Sequence, residues 1–233
     1  MVLRDEALSL SDGQGASGGL IITAMISKSI FRLLAASIFM LSVQAAHADA
    51  VRLMIFGDSL VAGYGLDRVT AFPRQLESRL KARGFDVEVL NAGVSGDTTS
   101  SGRSRLDWTL AEMPDAMMIV LGGNDMLRGV DPSVTRRNLD KILGSLKDKN
   151  IPVMLCGMLA SPNLGADYQA EFDSIYPELA AKYGIAFYPF FLEGVALVPK
   201  FNQPDGIHPN ALGVRKIVVS MIDDVGKFLT EIK

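Results

Sequence analysis

From Val51 onward, apolar residues come in short, nearly unbroken runs, and between those runs they return every three or four positions. The runs predict strands near residues 51–56, 86–90, 116–121, 152–156 and 185–188. The stretches between them predict helices near 70–83, 98–111, 132–148 and 167–182, with a last helix near 210–230. A strand that is apolar on both faces must be covered on both, and alternating helices supply that cover. The pattern therefore predicts one α/β domain built on a parallel sheet. Two helix starts carry their own signal. Asp131-Pro132 is a capping residue followed by proline at the first helical position, ahead of Leu139, Ile142, Leu143 and Leu146. Pro209 is expected to open the last helix, where Ile217, Val218, Met221, Ile222, Val225, Phe228 and Leu229 form a wide apolar face. Asp223 and Asp224 on its polar side favour a core role for that face over a membrane-surface one.

At 233 residues, 48% hydrophobic and 21% charged, the chain can bury a full core. A net charge of −3 and the lack of any Lys/Arg cluster argue against a nucleic-acid partner. The single cysteine, Cys156, excludes an internal disulfide, and its place at the end of an apolar run reads as a buried thiol without chemistry.

The first 48 residues read differently. Residues 30–46 are largely apolar, with Lys28 just before them and Arg32 near their start, and they run into Ala46-His47-Ala48, a small-x-small pattern. They predict a secretory signal peptide over 25–48, cut after Ala48, with a periplasmic or secreted product and no stable membrane anchor. The stretch is short for a membrane span, and Ser37, Ser42 and Gln44 weaken it further. Residues 1–24, with Arg4-Asp5-Glu6 and a Gly/Ser-rich run, are expected to be an over-extended start before Met25. The α/β domain is then 49–233, and of the two histidines only His208 remains in it.

In open α/β sheets, ligands bind beyond the carboxyl ends of the strands, so the chemistry is expected in the loops there. They hold Gly57-Asp58-Ser59-Leu60 after strand one, residues 91–97 including Gly96 after strand two, and Gly122-Gly123-Asn124-Asp125 after strand three. Asp205-Gly206-Ile207-His208 precedes the last helix. A serine nucleophile needs a base, a carboxylate to orient that base, and donors for an oxyanion. Ser59, His208 and Asp205 could fill the first three roles. Backbone N–H groups of Ser59 and Gly96 and the Asn124 amide could fill the last. Each has a plainer reading taken singly: Ser59 as a helix cap, Asp205-Gly206 as a turn, Asn124 as an Asx turn, and Asp58, Asp97 and Asp125 as loop ties to backbone amides.

Taken together, the four segments resemble the SGNH, or GDSL, hydrolase family, whose blocks contribute Ser, Gly, Asn and a paired Asp and His in this order. The stretches Ser95-Gly96-Asp97-Thr98, Leu127-Arg128-Gly129 and Ile175-Tyr176-Pro177 are similar to its periplasmic thioesterase, lysophospholipase and arylesterase branch. Gly93 departs from that branch, which often carries a larger small residue there. The resemblance implies a flavodoxin-like three-layer fold with a five-stranded parallel sheet in the order 2-1-3-4-5. It also implies hydrolysis of carboxylic esters or thioesters through an acyl-enzyme at Ser59, Asp205 and His208, with an oxyanion hole from Ser59, Gly96 and Asn124 and no metal or cofactor. The substrate would be a small-molecule acyl ester or lipid, flanked by residues 157–165 and by Met126-Leu127. An acetyl-carbohydrate esterase of the same family is the alternative within the class. A noncatalytic flavodoxin-like binding module is the alternative outside it, and that module would need a glycine-rich phosphate signature that does not follow strand one. Oligomeric state is not legible in the sequence.

Overall fold

The computed structural model describes residues 50–232. The expected signal peptide and the segment 1–24 lie outside the described residues. Five parallel strands, β1 (Val51–Gly57), β2 (Val87–Gly93), β3 (Ala116–Val120), β4 (Val153–Cys156) and β5 (Ala186–Tyr188), form one sheet in the order β2-β1-β3-β4-β5. The helices are α1 (Ser59–Ala62), α2 (Phe72–Ala82), α3 (Thr99–Thr109), α4 (Gly123–Leu127), α5 (Pro132–Asp148), α6 (Ala166–Tyr183) and α7 (Ala211–Glu231). α2 packs against α7, while α5 packs against both α3 and α6, so helices cover both faces of the sheet. This is the flavodoxin-like three-layer arrangement expected from the sequence.

The unbroken apolar runs mark the inner strands, since all five residues of β3 and all four of β4 are buried. β2 behaves otherwise. As an edge strand it alternates, with Val87 and Val89 buried and Glu88 exposed, because only one of its faces has a helix to meet. It also runs further than its apolar residues suggest: Asn91, Ala92 and Gly93 pair with Ile55, Phe56 and Gly57 of β1, so the loop begins at Val94. Gly57 likewise belongs to β1. The last helix starts at Ala211, two residues after Pro209, and Asn210 is the cap, accepting from the N–H groups of Leu212 and Gly213.

Two short helices, α1 and α4, were not foreseen, and both sit at the carboxyl ends of strands. The chain turns from β1 into α1 with almost no room. A Cβ on Gly57 would fall 2.4 Å from a Val61 methyl carbon and 2.6 Å from the Val120 carbonyl oxygen. Gly122, which caps α4, has φ 113°, and a Cβ there would lie 2.0 Å from the Tyr176 hydroxyl, itself bonded to the Leu121 carbonyl. Only glycine meets both demands.

Candidate active site

Asp58 caps α1 by accepting the Leu60 N–H at 3.0 Å, and this presents Ser59 as the first helical residue. The Ser59 Oγ lies 3.0 Å from Nε2 of His208. On the other side of the ring, Nδ1 lies 2.8 Å from Oδ2 of Asp205. The second oxygen of that carboxylate accepts the backbone N–H groups of Ile207 and His208 at 2.9 and 3.0 Å. A carboxylate can only accept here, so the ring proton sits on Nδ1 and Nε2 is left free to take the serine proton. Hydrogen bonds from the His208 backbone, the His208 ring and the Ile207 backbone, in that order, hold the Asp205 carboxyl down at about 2. It is therefore charged across the working range.

Asn124, in α4, aims its amide nitrogen at the Asp97 carbonyl, 3.0 Å away, and more loosely at Oδ2 of Asp58, 3.3 Å away. The Gly96 carbonyl accepts from Arg128 at 2.9 Å, which ties that loop to the end of α4. Ser59, Gly96, Asn124, Asp205 and His208 thus all lie in the turns that leave the sheet's carboxyl edge or in the loop that closes over it.

The loop carboxylates have distinct jobs. Asp125 accepts the Thr99 N–H at 2.8 Å and hydroxyls of Thr99 and Thr135, a buried tie between α3, α4 and α5. Asp58 is also buried, and desolvation pushes its carboxyl up to about 6 against the opposing hydrogen bond from Leu60. Asp97 departs from the expected tie to a backbone amide and instead pairs with Arg105, Nε to Oδ2, at 2.6 Å. That guanidinium was missed in the sequence, as were two further contributors. The Tyr64 ring packs against the His208 ring, and Gln203 donates to the carbonyls of both Tyr64 and Pro209. Of the residues expected to flank an acyl chain, Met158 and Ala160 are core, while Leu127 and Leu159 are exposed. Tyr64, Val94 and Ile207 add exposed apolar surface on the other site loops. Cys156 is buried, as expected, and burial raises its thiol far above the ordinary range.

A pocket of about 260 Å³ opens near the amino ends of β4 and β5, lined by Leu143, Lys147, Ile151, Tyr183 and Ile185. It is at the opposite edge of the sheet from Ser59 and holds no paired nucleophile and base.

A parallel sheet with a Ser–His–Asp chain at its carboxyl edge gives the class as an α/β serine hydrolase. The chain belongs to the GDSL-like lipase/acylhydrolase family, whose model matches residues 55–216. It is 39% identical over 181 residues to an arylesterase of Vibrio mimicus, covering 77% of this chain and 90% of that one. It is 40% identical over 172 residues to thioesterase 1/protease 1/lysophospholipase L1 of Escherichia coli K12, covering 73% and 80%. Among solved structures it is similar to AlinE4, an SGNH-hydrolase family esterase, with a TM-score of 0.67 and 46% identity over 78% of this chain and 98% of that one.

Proposed function

We propose that Ser59 attacks the carbonyl carbon of an aryl or fatty-acyl ester or thioester and carries the acyl group as a covalent intermediate. The observation that carries this reading is the hydrogen-bonded chain from Ser59 Oγ through the His208 ring to Asp205, with contacts of 3.0 and 2.8 Å. As the Oγ–carbon bond forms, Nε2 takes the hydroxyl proton, and the imidazolium is balanced by Asp205, which stays ionised. The carbonyl electron pair moves onto oxygen, giving an oxyanion bound by the N–H groups of Ser59 and Gly96 and by the Asn124 amide. For Asn124, the 3.3 Å contact to Asp58 is the weaker of its two and the one a substrate oxygen replaces. Collapse expels the alcohol or thiol, which leaves with the proton from Nε2. Water, deprotonated by the same nitrogen, then releases the acid.

The apolar side chains that the site loops expose, Tyr64, Val94, Leu127, Leu159 and Ile207, favour an aryl or fatty group over an acetylated carbohydrate. The names of the arylesterase and lysophospholipase relatives point the same way. For the leader, the apolar stretch 30–46 and the Ala46-His47-Ala48 motif support an export signal over 25–48 and a periplasmic product starting at Asp49. Among the described residues no helix is long and apolar enough to cross a membrane.

The test is mass spectrometry of protein treated with a fluorophosphonate, beside turnover of nitrophenyl esters of two to sixteen carbons, acyl-CoA and lysophospholipid. Ser59→Ala is expected to lose both labelling and turnover, and the intact enzyme to prefer acyl chains longer than acetyl. Labelling at another residue, or turnover by Ser59→Ala, overturns the assignment of the nucleophile.

A further inference from the structure

Arg105 lies in α3, away from the serine and the histidine, yet its guanidinium is spent on the edge of the sheet from which they project. Nε donates to Oδ2 of Asp97 at 2.6 Å. One terminal nitrogen donates to two backbone carbonyls, Gly57 at 3.0 Å and Ala92 at 2.9 Å, and the other to the Thr109 hydroxyl at 3.3 Å. The guanidinium plane lies over the fully buried Phe56 ring, 4.1 Å from its centre. Its side chain is 17% exposed and that of Asp97 is 9% exposed, so the pair is shielded from water. Such forked, planar donation is available to arginine and not to lysine.

The acceptors are the informative part. Gly57 immediately precedes Asp58-Ser59, so its carbonyl fixes where the Ser59 N–H begins. Asp97 follows Gly96, and the Asp97 carbonyl is the oxygen that holds the Asn124 amide. Ala92 is at the end of β2, two residues before the loop that carries Gly96. One cation therefore touches the frame of each of the three proposed oxyanion donors, and it neutralises the Asp97 carboxylate that stands beside the buried Asp58.

We infer that Arg105 is a positioning residue for the oxyanion site, setting the relative placement of the Ser59, Gly96 and Asn124 donors and removing a negative charge from their neighbourhood. It touches no reacting atom and acts through those three donors, so the inference rests on their proposed role.

A double-mutant cycle on nitrophenyl ester hydrolysis tests it, using Arg105→Met, Asn124→Ala and both together, with Ser59→Ala measured in parallel. Arg105→Met is expected to lower kcat on the order of 10–100-fold while KM moves by less than about threefold, because sub-ångström misplacement acts mainly on the transition state. The double variant is expected to lose much less than the product of the single losses, since both changes damage one device. Arg105→Lys and Asp97→Asn, gentler changes to the same contacts, are expected to show the same kcat-against-KM split and serve where Arg105→Met does not fold. Full kcat in all three variants, or losses that multiply with Asn124→Ala, overturns the inference. Turnover by Ser59→Ala would instead overturn the nucleophile on which it rests.

Discussion

The ring of Tyr64 lies 4.6 Å, centroid to centroid, from the imidazole of His208, tilted by 38° to it. Tyr64 follows α1 and His208 belongs to the loop before α7, so the contact spans the two segments whose separation decides whether Ser59 and His208 meet. It braces one face of the imidazole and leaves both ring nitrogens to their hydrogen bonds. Removing the ring in Tyr64→Ala is expected to lower kcat/KM by roughly two- to tenfold, the rate equivalent of an aromatic contact of about 0.5–1.5 kcal/mol. Tyr64→Phe should stay near the parent enzyme, and steady-state kinetics on a short nitrophenyl ester distinguishes the two.

Gln203 braces the same two segments through the backbone, with its amide nitrogen donating to Tyr64 O at 2.8 Å and Pro209 O at 3.0 Å. Gln203→Glu is nearly isosteric but presents an acceptor to two acceptors. It is therefore expected to cost about 1–3 kcal/mol in urea unfolding and to lower kcat more than Gln203→Ala does. Equal behaviour of the two variants would mean that the amide donor has no part in the brace.

Asn124→Ala is expected to reduce kcat on the order of 10²–10³, the usual loss for a side-chain oxyanion donor, with little change in KM. Because the variant leaves Ser59 and His208 in place, fluorophosphonate labelling should persist at a reduced rate. Undiminished turnover would remove Asn124 from the oxyanion site.

The pH dependence of stability should have two components of opposite sign. Asp205 is depressed to about 2, so its contribution is present above the unfolded carboxylate value near 3.8 and is lost as pH falls from there through 2. Asp58 is raised to about 6, so the fold is favoured below 3.8 and loses stability as pH rises from there through 6. The latter is on the order of 3 kcal/mol, from a shift of about two units at 1.36 kcal/mol each. Thermal melts between pH 4 and 7 should show this decline in the parent protein and a flatter profile in Asp58→Asn. The gain at pH 7 will be smaller than the full figure, since the contact from Asn124 to Asp58 is lost as well.

What was legible in the chain was whatever local spacing records. The inner strands announced themselves because β3 and β4 are buried on both faces and must be apolar throughout. Ser59, Gly96 and Asn124 were legible because each stands beside turn-forming glycine or aspartate just after such a run, and His208 because it is the one histidine after residue 49, three residues beyond Asp205. The short helices α1 and α4 were not, since four or five residues complete too little of a helical turn pattern to show a period. β2 was cut short because its last three residues are held by pairing with β1 rather than by apolar side chains. Arg105 and Gln203 were not legible, because the contacts that tie them to the Ser59 segment, to the Gly57 and Tyr64 carbonyls, cross 48 and 139 residues of chain.

The carboxylate of Asp205 holds both the ring of His208 and the backbone N–H of the same residue, so the four-residue turn keeps its own geometry whatever its distance from the sheet. Base and orienter are thereby locked to each other, and what the triad leaves to the rest of the fold is the gap between Nε2 and the serine hydroxyl. Warming or a loosened loop would therefore be expected to widen that gap first, making the enzyme slow before it makes it unfolded.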